Sequence, residues 1–367
     1  MPSSVSLRRR ARLAPFCALA SLACGHAPAP APVLAAAPAH ADSIVPPAPG
    51  ERHLRNIRQL TFGGNNAEAY FSASGTQLIF QRQDSVEAGC DQQYIINTDG
   101  SGLHRVSSGR GRTTCGYFYA GDRRILYSST FAYSPACPPP VDRSNGYVWP
   151  LNHLEIYSAK SDGSDLRPLT NNGAYNAEST VSPDGRRIIF TSTKDGDLEL
   201  YTMDVDGSDV RRLTHRVGYD GGAFFSPDGK HIVWRAWYPE TAADSAQYLS
   251  LLAERLVKPA RMELWIADAD GANPRQVTRL GGANFAPYFT PDGRRIIFAS
   301  NYLNPRSRNF DLYLVDLDGS GLEQVTTDPE FDGFPMFSPD GRKLVWASNR
   351  HGREFGETDL FIADWVE

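Results

Sequence analysis

No stretch of this 367-residue chain is apolar for long enough to cross a bilayer. A spanning helix needs about 20 apolar residues, and the best candidate, Leu13 to Ala23, stops well short. Basic residues are in deficit, 37 against 42 acidic ones, for a net charge of −5. No basic patch therefore supports a nucleic-acid partner. Catalytic signatures are missing too: there is no G-x-S-x-G elbow, no H-E-x-x-H pair and no glycine-rich phosphate loop. The histidines are scattered without an i, i+4 pair. His104 and His231 fall within strand patterns, and His153, His215 and His351 lie in connecting segments. Of the five cysteines, Cys17 and Cys24 stand in the first segment, so Cys90, Cys115 and Cys137 leave material for one bridge.

What the chain does contain is a repeat. Ser182-Pro183-Asp184-Gly185 runs into Arg187-Ile188-Ile189-Phe190, and the pattern returns at Ser226-Pro227-Asp228-Gly229, Thr290-Pro291-Asp292-Gly293 and Ser338-Pro339-Asp340-Gly341. Worn copies occur at Ser72-Ala73-Ser74-Gly75 and Tyr119-Ala120-Gly121-Asp122. Proline presets φ and glycine accepts φ > 0, so each motif is a turn between two strands. A third strand follows, such as Leu198 to Met203, then a DG turn and a fourth strand such as Val210 to Thr214. The turn glycines recur every 44 to 64 residues or so, which suits four-stranded propeller blades with loop insertions.

The ends of the pattern are complementary. The last unit stops without a fourth strand, while Ile57-Arg58-Gln59-Leu60-Thr61 is a fourth strand without a unit. Pairing the two leaves no open sheet edge. The predicted fold is all-β: a six-bladed β-propeller of four-stranded antiparallel blades, with an N-terminal strand completing the last blade around a water-filled axis.

The SPDG-type turn, the aromatic third strand and the DG turn before an "rxLT" strand resemble the TolB-type (WD40-like) β-propeller repeat of bacterial envelope proteins, over about residues 53–367. The resemblance implies an interaction platform. Propellers of this type also gate prolyl oligopeptidase-like enzymes, and some act as polysaccharide lyases. TolB itself carries an α/β domain ahead of its propeller, whereas low-complexity sequence precedes the repeats here.

Residues 1–24 read as a secretion signal, with Arg8, Arg9, Arg10 and Arg12 before a short apolar run. Leu22-Ala23-Cys24-Gly25 offers Cys24 for acylation, and Ala39-His40-Ala41 offers ordinary cleavage instead. Residues 25–52 form an Ala/Pro-rich tether. The expected location is periplasmic or outer-membrane-anchored, with the membrane touched only through a lipid anchor and the protein monomeric. In an oxidising compartment two cysteines can bridge; Cys90 with Cys137 is the preferred pair, and three unpaired thiols are the alternative.

The long insertions, 131–153 and 238–260, and the shorter ones at 301–309 and 349–357, all fall on the rim opposite the SPDG turns. Binding usually resides in such loops. The second insertion should hold a helix capped by Thr241 and Asp244 and ended by Pro259, with Ala242, Ala246, Leu249, Ala253 and Leu256 packed on the propeller.

Six positions before each turn serine stand Asn66, Thr113, Asn176, Asp220, Asn284 and Asp332; two residues further on come Glu68, Cys115, Glu178, Gly222, Ala286 and Phe334. Strand parity places both rows on one face, where Asn66, Glu68, Asn176, Glu178, Asp220, Asn284 and Asp332 would make an acidic collar at the channel mouth. The bland reading is that Asn, Asp and Thr bond locally to backbone at loop-to-strand junctions. The collar would take a cationic ligand, either a peptide amine or a hydrated divalent cation, with no cofactor otherwise required. The sequence thus points to an exported module binding an envelope protein, peptide or glycan. The alternative is a metal-dependent lyase or hydrolase acting on acidic polysaccharide or peptide, built from a histidine with Glu68 or Glu178.

Overall fold

The computed structural model describes residues 44–367, apart from 86–88, 143, 145 and 260. The proposed signal, Cys24 and most of the Ala/Pro-rich segment lie outside the described residues.

Six antiparallel sheets are arranged as propeller blades, each running outward from an innermost strand. In blade three these strands are Asn176–Val181, Arg187–Ser192, Glu199–Asp204 and Arg211–Arg212. The SPDG motif works by local bonding. Ser182 Oγ donates to Asp184 Oδ1 (2.6 Å) and accepts from Arg187 N (2.9 Å), while Arg186 N donates to the same Asp184 oxygen. Ser226, Thr290 and Ser338 do the same with Asp228, Asp292 and Asp340. In the worn first copy Asp122 of the next blade takes over, accepting from Ala73 N and Ser74 N.

The ring closes through the predicted strand. Leu54–Gln59 pairs with Asp359–Trp365, with Leu54 opposite Trp365 and Gln59 opposite Phe361. Leu54 and Ile57 are completely buried there and Leu60 nearly so. The segment read as a tether also contributes: Ile44–Val45 adds a fifth strand outside Leu54–Gln59. Glu51 of the same segment is buried against Arg350 (2.9 Å).

The recurring "LT" threonine locks the outer half of five blades, and Ser107 takes its place in blade one. Thr170 Oγ1 accepts from Ile156 N and donates to Glu155, and Thr278 does likewise with Leu264 N and Glu263. The acid at the head of the third strand thus becomes a junction, because the first strand of the next blade also bonds to it.

The axis is not a water-filled tube. Two positions before each turn, Tyr70, Tyr117, Phe224 and Tyr288 pack ring to ring at 5.2 to 6.4 Å between centroids, with Met336 in the same core. Four large rings and a thioether in these columns fill the space that smaller side chains would have left to solvent.

Candidate functional site

The innermost strands carry an irregularity that alternation does not reveal. In all six blades their pairing slips by one residue. Glu68, Cys115, Glu178, Gly222, Ala286 and Phe334 all sit at φ between 48° and 64° at that slip. This is a β-bulge, and the extra residue breaks the two-residue period. The two rows expected to share a face are therefore separated.

The first row is turned between blades. Asn66, Asn176, Asp220, Asn284 and Asp332 are completely buried; they do not line a channel mouth, and most of their bonds run to the preceding blade or to other side chains rather than to nearby backbone. Asn176 Nδ2 donates to Leu154 O (3.0 Å) and Glu155 Oε2 (3.1 Å) of the preceding blade. Asn284 repeats this with Met262 O and Glu263 Oε2, and Asn66 with Thr358 O and Asp359 Oδ1. Asp220 accepts from Trp234 Nε1 and Tyr238 OH, both at 2.6 Å. Asp332 accepts from Trp346 Nε1 (3.0 Å) and Arg350 (2.8 Å). Burial pushes Asp220 up to about 8 and Asp332 up to about 6.

The bulge row faces the axis instead, where Glu68, Cys115, Glu178 and Phe334 line a cavity of about 1530 Å³. The cavity opens on the insertion rim, since its mouth is built from parts of all four insertions. Two of these join: Trp149–Pro150 pairs with Leu256–Val257 as a small ribbon, and Leu151 N donates to Arg255 O (2.7 Å). A bond between Cys90 and Cys137, with Cα atoms 5.7 Å apart, ties the first insertion to blade one, and Cys115 stays a buried thiol.

The helix of the second insertion spans Ala242–Ala253 with Thr241 as its cap, Oγ1 accepting from Asp244 N (3.1 Å). Its packed face differs from the expected stripe. Ala242, Ala246, Leu249 and Ala253 are exposed, while Tyr248 is buried against Trp237 and its hydroxyl donates to Asp197 and Gly218 O. A large ring whose polar end finds acceptors buries more area than the alanines could.

At depth the cavity holds a salt bridge the sequence reading missed. Arg235 of blade four crosses to Glu178 of blade three, and its guanidinium also donates to Tyr219 OH (2.8 Å). Its charge lies 5.5 Å from the ring centres of Trp149 and Tyr219 and 5.9 Å from Phe285. Gly222 makes this possible, because a Cβ there would collide with the guanidinium. One signal was available. Arg235 shares its register position with Gln81, Ser128, Thr191, Ala299 and Ala347, so it is the one charged side chain in a core column. Thr191 Oγ1 completes the group by donating to Glu178 (2.8 Å).

Glu68 has no such partner. Its Oε2 is shut off from solvent and accepts no hydrogen bond among the described residues; the nearest donor to the carboxyl group is the Cys115 thiol. Burial, reinforced by Glu178, raises its pKa to about 7. Asp91, also in the cavity wall, lies 3.5 Å from Arg112.

The histidines do not assemble with these acids. His153 bonds to Gly173 O (2.6 Å), His215 is exposed, and His351 sits at the mouth. Among the described residues no three His, Cys, Asp or Glu side chains are placed to share a metal ion.

The comparisons with known proteins agree with this architecture. No curated protein matches the chain. Among solved structures, a TolB assigned to Agrobacterium tumefaciens superposes with a TM-score of 0.55 at 18% identity, covering 85% of this chain and 97% of that one. TolB from Acinetobacter baumannii gives 0.54 at 18% identity, over 83% of this chain and 64% of its own. Oligogalacturonate lyase from Vibrio parahaemolyticus gives 0.51 at 12% identity, over 84% and 93%. At such identities these likenesses concern the fold alone. The family model of the TolB beta propeller domain (PD40) matches residues 130–243 and 258–355, more than half of the sequence. The chain therefore belongs to the TolB β-propeller family.

Proposed function

We propose that this protein is an exported binding module of the bacterial envelope that receives a protein or peptide at its insertion rim. The observation that carries this reading is the composition of the cavity mouth and the rim beside it. Phe355 in the mouth is 88% exposed and Leu303 on the neighbouring insertion 65% exposed, with Arg308 stacked over the Phe355 ring at 6.0 Å. Large apolar side chains left in water around a concave site mark interaction surfaces, and aromatic and Arg side chains dominate their energetics. The sealed floor supports recognition of a segment that enters and ends in the cavity. Export is supported by the signal-like residues 1–24 and by the family.

The test is retention of envelope proteins on the immobilised full chain and on a Leu303→Ala/Phe355→Ala variant. Both positions are exposed, so the fold should survive. A partner held by the parent and released at least tenfold more readily by the variant supports the reading; equal retention overturns it.

The cationic mouth, with Arg306, Arg308 and Arg353, also suits an acidic glycan. Oligogalacturonate, on which the Vibrio lyase acts, is the probe for that second reading. Retention of oligogalacturonate in place of protein would transfer the function to it.

A further inference from the structure

We propose that Glu68 is the anchor of a subsite for a primary ammonium group on the cavity floor. This rests on the reading that the cavity receives a ligand. It goes further by naming the chemistry that the deepest part of the ligand must carry.

The inference follows from how the charges in the inner wall are paired. Glu68, Asp91 and Glu178 line the cavity together with Arg112 and Arg235. Arg235 is paired with Glu178 and Arg112 lies 3.5 Å from Asp91, whereas Glu68 forms no ion pair among the described residues. Its surroundings offer no relief. Cys115 supplies only a thiol, a weak donor, and Phe334, the corresponding bulge residue of blade six, supplies no polar atom. Tyr70 lies next to it on the same strand, with the ring cluster below. The carboxyl group lines the cavity while one of its oxygens is cut off from water with no donor among the described residues. A carboxylate oxygen shut off from water without a donor is costly, and a ligand bringing one positive charge and several N–H groups meets both needs at once.

A hydrated divalent cation is the weaker fit. The other two acids are already neutralised, and no third ligand stands beside Glu68 and Cys115 among the described residues. A primary ammonium asks for one charge and can share its remaining protons with water in the cavity.

The ammonium could come from a lysine side chain or from a chain's own N-terminus, and two probes separate these. Nα-acetyl-lysinamide carries the first and alanyl-alaninamide the second; Nα-acetyl-norleucinamide is the uncharged control. Titration calorimetry on the full chain should show one of the charged probes binding at least tenfold tighter than the control. Because a bound cation favours the ionised carboxyl, affinity should rise roughly tenfold per pH unit from pH 5 to pH 7 and level off above. Glu68→Gln should remove both the preference and the pH dependence while keeping the parent's melting temperature at pH 5.

Equal binding of charged and uncharged probes would overturn the proposal, as would an unaltered pH profile in Glu68→Gln or displacement of the probe by millimolar Mg²⁺. If envelope-protein retention persists in Glu68→Gln while neither ammonium probe binds, the subsite fails and the rim reading stands. If an ammonium probe binds but no partner is retained at the rim, the reverse holds.

Discussion

Replacing Asp220 by asparagine should make the protein more stable in mild alkali. In the blade junctions at Asn176 and Asn284, an amide donates to the acid that heads the neighbouring third strand, Glu155 or Glu263, at 3.1 Å. That acid lies 21 residues earlier in both cases. At the junction between blades three and four the same two places hold Glu199 and Asp220, two acceptors with no fixed donor between them. Asp220 Oδ2 and Glu199 Oε2 are both buried and accept no hydrogen bond among the described residues.

Burial, opposed by the Tyr238 and Trp234 bonds and reinforced by Glu199 and Asp197, pushes Asp220 from 3.8 up to about 8. Glu199 is raised as well, by burial, although Arg212 bonds to it. A proton on Asp220 does the work that the amide hydrogen does elsewhere.

The sign follows from linkage. The folded state holds a proton that the unfolded chain gives up near pH 4, so the contribution is full below that value and is lost as pH rises toward 8. Each pKa unit corresponds to about 1.4 kcal/mol, and allowing for relaxation around the buried group the loss is on the order of 2–5 kcal/mol. Asp220→Asn supplies a permanent donor to Glu199 and keeps an oxygen for Trp234 and Tyr238. It should match the parent within about 1 kcal/mol at pH 5 and exceed it by about 2–4 kcal/mol at pH 8.5. That is roughly 3–6 °C in melting temperature for a domain of this size. Thermal unfolding followed by circular dichroism at the two pH values is the assay, read as the difference between variants so that other titrating groups cancel. A variant no more stable than the parent at pH 8.5, or a gap that does not change with pH, would refute the proton-sharing argument.

Two further outcomes follow from the fold. Deleting the described residues up to Thr61 removes the closing strand and exposes the sites of Leu54, Ile57 and Leu60, at about 2 kcal/mol each, besides ladder bonds at ~1 kcal/mol each; an unchanged denaturation midpoint would speak against closure by this strand. Gly222→Ala places a methyl group where the Arg235 guanidinium lies, at φ +64°. It should cost about 2–3 kcal/mol by separating Arg235 from Glu178, measurable by urea unfolding, and a neutral result would show that Arg235 has another low-energy position.

The legibility of this protein divides by the range of the contacts involved. Ser182 bonds to both Asp184 and Arg187 within five residues, so the turn is written in one short motif and its repetition counts the blades. Circular closure was likewise readable, because a lone fourth strand at the start and a blade short of one at the end have a single mutual solution. Insertion lengths alone assigned the open rim. The alternation rule failed where a backbone irregularity intervened: six residues at positive φ turn Glu68 and Glu178 toward the cavity and bury Asn66 and Asp220 between blades. Gly222 was the visible trace of that bulge, the single glycine in a column it shares with Glu68, Cys115, Glu178, Ala286 and Phe334.

Sequence by itself determined the repeat, the ring and which rim is open, because these depend on local turn chemistry and on having no unpaired sheet edge. Tertiary structure alone decided what the cavity contains. The Arg235 to Glu178 pair spans 57 residues, the ribbon between the two insertions joins blade two to blade four, and Tyr248 rather than Leu249 faces the core. Such contacts depend on how blades pack and on which polar ends find partners, and no period along the chain encodes either.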